Sequence, residues 1–297
     1  MRKFNFFSLM IAVFFASTLV CVSCSEDDDN PEDFEQGAGG GTQGGSSNDK
    51  DKDESDDNGT EGDNTHFSGK NKTYTVNGVS FVMVAVEGGT FEMGSNEGMR
   101  HLQPVHSVTL SSYYIGQTEV TQALWEAVMG ENPSFYFKGG DLPVDYVSWD
   151  NCQEFVAKLN ELTGENFRLP TEAEWEFAAK GGNKSKGYTY SGSDEIDNVA
   201  WYIENCNQRP HSVGTKEANE LGIYDMSGNA WEWCQDWYGF YPDSEQTNPT
   251  GPASGSLKVQ RGGCWLGDAK SCYTIDRAGN ETTYIGSCQG CRLALSL

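Results

Sequence analysis

Seven cysteines fall between residues 76 and 297: Cys152, Cys206, Cys234, Cys264, Cys272, Cys288 and Cys291. Thiols can pair as disulfides, hold soft or borderline metals, or act as nucleophiles once deprotonated. Cys288-Gln289-Gly290-Cys291 has the spacing of a zinc or dithiol redox motif. It lacks the second C-x-x-C that would complete a four-sulfur site and the strand-to-helix setting of a redox catalyst, so structural pairing is the better reading. An odd count leaves at least one thiol free. Four histidines, His66, His101, His106 and His211, are too scattered to form a metal centre. The glycine-rich stretch 87–95 lacks the lysine of a phosphate-binding loop and reads as a turn.

The elements that must position these groups follow from hydrophobic period and capping chemistry. Residues 79–86 and 105–114 alternate like strands. Residues 121–129 place Leu124, Trp125, Val128 and Met129 on one helical face, with Gly130 as the stop. Ser148 caps a second helix with Cys152, Phe155, Val156 and Leu159 at i, i+3, i+4 and i+7, which makes Cys152 a core residue. Thr171-Glu172-Ala173-Glu174 is a capping box that starts a third helix. Past Gly181 the chain is rich in Gly, Asn, Asp, Ser and Trp, so short strands and long ordered loops are expected.

At the N-terminus, Arg2 and Lys3 precede an apolar run from Phe4 to Val22, the pattern of a secretory signal. Val22-Ser23-Cys24 looks like a bacterial lipobox, which makes 1–23 a signal peptide and Cys24 the lipidated residue; Cys21 is the rival. Acyl chains on Cys24 would tether the protein to a membrane. Ser25-Glu26-Asp27-Asp28-Asp29 resembles the acidic signal that sends Bacteroidota-type lipoproteins to the outer leaflet of the outer membrane, and also suits the start of a solvated linker. Residues 25–64 hold 15 acids and two lysines and so carry −13 of the net −24. With its glycine/serine tract, the 24–75 segment is expected to be a disordered tether. The rest of the chain is acidic as well, which argues against nucleic-acid partners.

Three segments carry a family resemblance. They are Phe167-Arg168-Leu169-Pro170-Thr171-Glu172-Ala173-Glu174-Trp175-Glu176, Gly222-Ile223-Tyr224-Asp225-Met226-Ser227-Gly228-Asn229-Ala230-Trp231-Glu232-Trp233, and Arg261-Gly262-Gly263-Cys264-Trp265-Leu266-Gly267-Asp268-Ala269-Lys270-Ser271-Cys272. Together they resemble the formylglycine-generating enzyme, or sulfatase-modifying factor, family over residues 76–297. The resemblance implies an α+β fold of C-type-lectin-like type, with short strands, few helices and much loop.

In copper-dependent members of that family an Arg-Gly-Gly-Ser run precedes two cysteines five positions apart, which resemblance puts at 267 and 272. Here these positions hold Gly267 and Cys272, and Cys264 replaces the serine. Cu(I) favours soft thiolates, and one sulfur makes a poor copper site. An active oxidase would have to use Cys272 with Cys264 as a nonstandard catalytic pair. Ca²⁺ is the expected cofactor, because it staples irregular loops through oxygen ligands. By resemblance, Asp225 and Glu232 would give side-chain oxygens and Gly228 and Ala230 carbonyls. A second candidate takes the Asn198 side chain and the Val199 carbonyl, with Asn205, Cys206 and Asn207 as later ligands. Trp231 and Trp265 flank the region of the family's substrate groove, although large aromatics are more often core.

The expectation is therefore an exported, surface-displayed outer-membrane lipoprotein whose sulfatase-modifying-factor-like domain lacks the full copper dithiolate. It would work by binding a protein or peptide partner or by assembly. The alternatives are an O₂-dependent oxidase that converts a sulfatase cysteine to formylglycine, and a calcium-assisted glycan binder.

Overall fold

A computed structural model describes residues 69–297. The expected signal peptide over 1–23, the lipidated Cys24 and the tether through residue 68 lie outside the described residues. Residues 72–75, placed with the tether by composition, belong instead to the first strand, β1 (Lys72–Val76), whose Val76 is buried. Asn77 and Gly78, both at positive φ, form the two-residue turn into β2 (Val79–Val86), with Val76 opposite Val79. Backbone of that hand matches the twist of the paired strands, which explains the Asn-Gly choice.

Among the described residues the chain forms three sheets and four α-helices. The first sheet has the order β1, β2, β5 (Tyr113–Gly116), β12 (Ala294–Leu295), β6 (Phe167–Arg168). A second runs β10 (Arg277–Asn280), β9 (Lys258–Arg261), β7 (Trp231–Trp237), β11 (Gln289–Cys291), with β7 and β11 parallel. A third pairs β3 (Gly89–Met93), β4 (His106–Leu110) and β8 (Gln246–Thr247). The helices are α1 (Gln122–Met129), α2 (Trp149–Thr163), α3 (Glu172–Ala179) and the single turn α4 (Ile196–Val199). This is the α+β, C-type-lectin-like architecture with high loop content that the resemblance implied.

The first sheet is covered on both faces, and its pleat sorts the side chains. Met83 and Tyr114 join Leu124, Trp125, Phe155 and Leu159 from α1 and α2 in one core. Val84, Tyr113 and Ile115 face the other way, onto Trp175 and Phe177 of α3. Trp125 and Phe155 stack at 4.7 Å with their planes 5° apart, locking α1 to α2.

The starts of α1, α2 and α3 are fixed by their capping side chains. Thr121 accepts from the Leu124 amide, and Gly130 ends α1 at φ 86°. Ser148 and Asn151 form a reciprocal capping box on α2, as Thr171 and Glu174 do on α3. All eight residues of α3 are buried, so its three acids need partners. Arg168 grips both Glu174 oxygens at 2.6 Å, Arg277 grips Glu172 at 2.6 and 2.5 Å, and Arg261 pairs with Glu176.

The expected strand over 105–114 is corrected to two strands in different sheets. The break falls at Ser111 and Ser112: the Ser111 amide donates to Asn248 Oδ1 at 2.8 Å, and Ser112 Oγ accepts from the Gly88 amide at 3.0 Å. Side chains of this kind draw backbone out of a ladder, an effect invisible to an apolar alternation.

Candidate functional site

Two constellations lie where the motifs converge, one built of carboxylates and one of sulfur. The acidic one forms where β7 leaves the 222–230 loop. Glu232 is fully buried, and its neighbour across the parallel ladder is Gly290, two residues before Arg292. Arg292 donates to both Glu232 oxygens at 2.9 and 2.7 Å, and Trp175 Nε1 donates to Oε2 at 2.6 Å. The guanidinium also ties Gly116 O and Tyr224 O, so it bridges the first and second sheets and the loop. Glu232, expected as a calcium ligand, is thus committed to Arg292 and Trp175.

Asp225 behaves differently. It sits at φ 58°, accepts from the Gly214 amide at 2.6 Å through Oδ2, and leaves Oδ1 buried without a hydrogen bond. Burial pushes its carboxyl up to about 6. Beside it lies Glu119, a residue the sequence reading missed, which accepts from the Ala230 amide at 3.2 Å and from Asn229 Nδ2 at 3.4 Å. Burial, and then the charges of Asp225 and Glu232, hold Glu119 well above the usual carboxylate range. Glu119 precedes α1 by sequence, and nothing in its local pattern marks it as part of a site 106 residues downstream. Three buried carboxyls thus face one guanidinium, and the two raised ones, Asp225 and Glu119, are placed to take up either a proton or a cation. Among the described residues, no three His, Cys, Asp or Glu side chains are arranged to hold a metal alone, so backbone carbonyls would have to complete the shell. The Asn229 amide donates to Trp201 O and the Trp231 amide to Cys288 O, each at 2.8 Å, fixing the peptide units on which the Gly228 and Ala230 carbonyls lie.

The second calcium candidate lies at α4. Asn198 is exposed on α4 and Val199 is buried among Tyr190, Ala200 and Tyr202. Asn205 Nδ2 donates to Asp197 Oδ1 and Ala200 O, each at 3.0 Å, and the Lys216 ammonium donates to Asp197 O. These donors occupy oxygens of Asp197 and Ala200, the neighbours of the Asn198 side chain and the Val199 carbonyl.

The sulfur constellation begins at Gly262 and Gly263, both at positive φ, which turn the chain out of β9. A side chain at Gly263 would strike Ser271 O at 2.6 Å, so only glycine fits there. At Gly267 the thiol of an active copper site is missing, and a Cβ there would lie 2.3 Å from Ser271 Oγ, which itself donates to Asp268 O at 2.7 Å. Cys272 is fully buried in the apolar cluster of Tyr190, Val199 and Tyr202, and burial pushes its thiol up to about 12. Cys264 faces elsewhere: its Sγ lies 2.8 Å from Cys288 Sγ, in a cluster with Cys206 and Trp265. The expected catalytic partners Cys264 and Cys272 therefore belong to separate clusters. The C-x-x-C is split in the same way, with Cys288 facing Cys264 and Cys291 in thiol contact with Cys152.

Of the two groove tryptophans, Trp265 is only 7 % exposed and packs edge-on against Phe137 at 5.7 Å, while Trp231 is half-buried. Aromatic surface is offered instead by Phe135 and Tyr136, 70 % and 65 % exposed, which cluster with Tyr146. Beside them lies a groove of about 610 Å³ lined by Tyr136, Phe137, Trp201, Arg209 and His211, in which Trp201 and His211 stack at 3.7 Å.

Comparison with known proteins places this geometry. The chain is 35 % identical to the chaperone protein LppX of Paenibacillus barcinonensis over 270 residues, covering 73 % of this chain and 90 % of that one. It is 33 % identical to a formylglycine-generating enzyme of Streptomyces coelicolor over 139 residues, 42 % of either chain. The solved structure of Treponema denticola variable protein 1 superposes with a TM-score of 0.71 at 35 % identity, over 76 % of this chain and 98 % of that one. The model of the sulfatase-modifying factor enzyme 1-like domain matches residues 69–297, and the chain belongs to that family.

Proposed function

We propose that this protein is an exported lipoprotein, anchored through Cys24 at the outer face of an outer membrane, whose domain acts by binding a protein or peptide rather than by oxidising a cysteine. The carrying observation is the copper position: Gly267 has no sulfur, Ser271 Oγ fills the direction its side chain would take, and Cys272 is buried with its thiol held protonated. A thiolate is what Cu(I) needs. The chaperone name of the Paenibacillus relative supports action on another protein. Phe135 and Tyr136, beside the groove at Trp201 and His211, offer the exposed aromatic surface such a partner would use. The acidic balance disfavours nucleic acid.

Ca²⁺ fits this reading as a structural ion. Asp225 Oδ1 and Glu119 would hold it, with Gly228 and Ala230 carbonyls, and it would displace their protons and pin the 222–230 loop.

The experiment is Cu(I) titration of the mildly reduced full chain beside Cys272→Ala, followed by an O₂-dependent assay on a cysteine-containing sulfatase peptide. The binding reading expects no stoichiometric copper and no peptide oxidation. Tight copper binding lost in Cys272→Ala, together with oxidised peptide, would overturn it in favour of the oxidase.

A further inference from the structure

Cys264 and Cys288 are presented to each other by backbone, independently of their own contact. The residue after Cys264 donates from its amide, Trp265 N, to Asn229 O at 3.0 Å, and Cys288 O accepts from the Trp231 amide at 2.8 Å. Both cysteines are thus pinned to the same three-residue stretch, one on each side of Ala230. Gly262 and Gly263 fix the approach from β9, and the β11–β7 ladder fixes the departure from Cys288. The sulfurs meet at 2.8 Å, closer than unbonded sulfur atoms rest and within a small side-chain rotation of bonding distance.

We infer that Cys264 and Cys288 close a disulfide that clamps the 264 loop to the start of β11 across the mouth of β7. The inference rests on the reading that the chain is exported, because such pairs persist in oxidising compartments. The oxidant is a disulfide of the compartment, either a thiol-disulfide oxidoreductase or oxidised glutathione. The Cys264 thiolate attacks one sulfur of that disulfide, forming a mixed disulfide and expelling a thiolate that takes up a proton. The Cys288 thiolate then attacks the Cys264 sulfur and expels the second thiolate, so two protons and two electrons pass to the oxidant. The hydrogen bond that Cys288 offers holds the Cys264 thiol below its ordinary value, favouring it as the first nucleophile. The exchange therefore takes place before the domain is fully packed, since in the fold Cys264 is 2 % and Cys288 8 % exposed, and the same burial shields the closed bond. It also removes from copper chemistry the cysteine that replaces the family's serine.

Cys206 shares the cluster and is the competing partner, although its thiol points to Trp265 O at 3.1 Å. The test expresses the full chain with its own N-terminus in a Gram-negative host, traps free thiols with iodoacetamide under denaturing, non-reducing conditions, and maps peptides by mass spectrometry. A Cys264–Cys288 cross-linked peptide is expected, lost in Cys264→Ser and Cys288→Ser and kept in Cys206→Ser. A second arm refolds the chain in a glutathione redox buffer. If export fails, the signal peptide stays attached and the isolated thiols are reduced, yet the refolded chain still closes this bond. A Cys206–Cys264 link, or Cys264 and Cys288 both alkylated after refolding, would overturn the inference.

Discussion

Ser271 Oγ stands where a side chain on Gly267 would begin: a Cβ there would lie 2.3 Å from the hydroxyl. The hydroxyl itself is turned to Asp268 O at 2.7 Å. Gly267→Cys alone is expected to destabilise the domain by about 1–3 kcal/mol through overpacking. It should bind Cu(I) poorly, whereas Gly267→Cys with Ser271→Ala should bind it stoichiometrically. Denaturant titration and Cu(I) competition check the two halves.

Removing Arg292 leaves the fully buried Glu232 carboxyl held only by the Trp175 indole. Arg292→Met is expected to cost about 3–5 kcal/mol, the range for breaking a buried pair from one side. Urea unfolding measures it, and the double variant with Glu232→Gln should recover part of the loss.

The Asp225 carboxyl titrates higher in the fold, at about 6, than its ordinary 3.8. The folded state therefore binds more protons than the unfolded chain between these values, and the Asp225 contribution to stability falls as pH rises through that window. In chelator, thermal midpoints of the wild type should drop from pH 4 to 6 more steeply than those of Asp225→Asn. Asp225→Asn isolates this effect from Asp145 and Asp276, whose carboxyls are also raised to about 6. At pH 7, millimolar Ca²⁺ should raise the wild-type midpoint, and the increment should shrink when Glu119→Gln is introduced.

A disulfide closing the 264–288 loop should contribute about 3 kcal/mol by chain entropy. For a domain of this size that corresponds to roughly 6–12 °C in midpoint. Calorimetry with and without a reductant should give that shift for the wild type and almost none for Cys288→Ser.

Phe135 and Tyr136 are exposed enough that alanine at either should change stability by no more than about 0.5 kcal/mol. If the aromatic surface carries the partner, the Phe135→Ala, Tyr136→Ala double variant should lose capture of that partner while keeping the wild-type melting curve.

The three major helices could be read from Thr121, Ser148 and Thr171 because caps and apolar period act within a few residues. The split of 105–114 could not, since it depends on Asn248, which is 137 residues from Ser111. The family motifs located the acidic loop, but the role of Glu232 depends on Arg292 and the environment of Asp225 on Glu119, both distant in sequence. Cysteine count implied pairing, and only the β7–β11 register reveals that Cys288 and Cys291 face opposite cores.

β12 lies between β5 and β6 in the interior of the first sheet, although it is the last strand of the described chain. A chain that emerges from synthesis N-terminus first therefore presents β1, β2 and β5 long before the strand that must fill the gap arrives. Until Ala294 reaches Ile115 and Arg168, β5 and β6 each expose an unpaired edge of the kind that recruits foreign strands. Closure of the sheet is a terminal event, and proteolytic nicking just before Leu293 would reopen both edges at once.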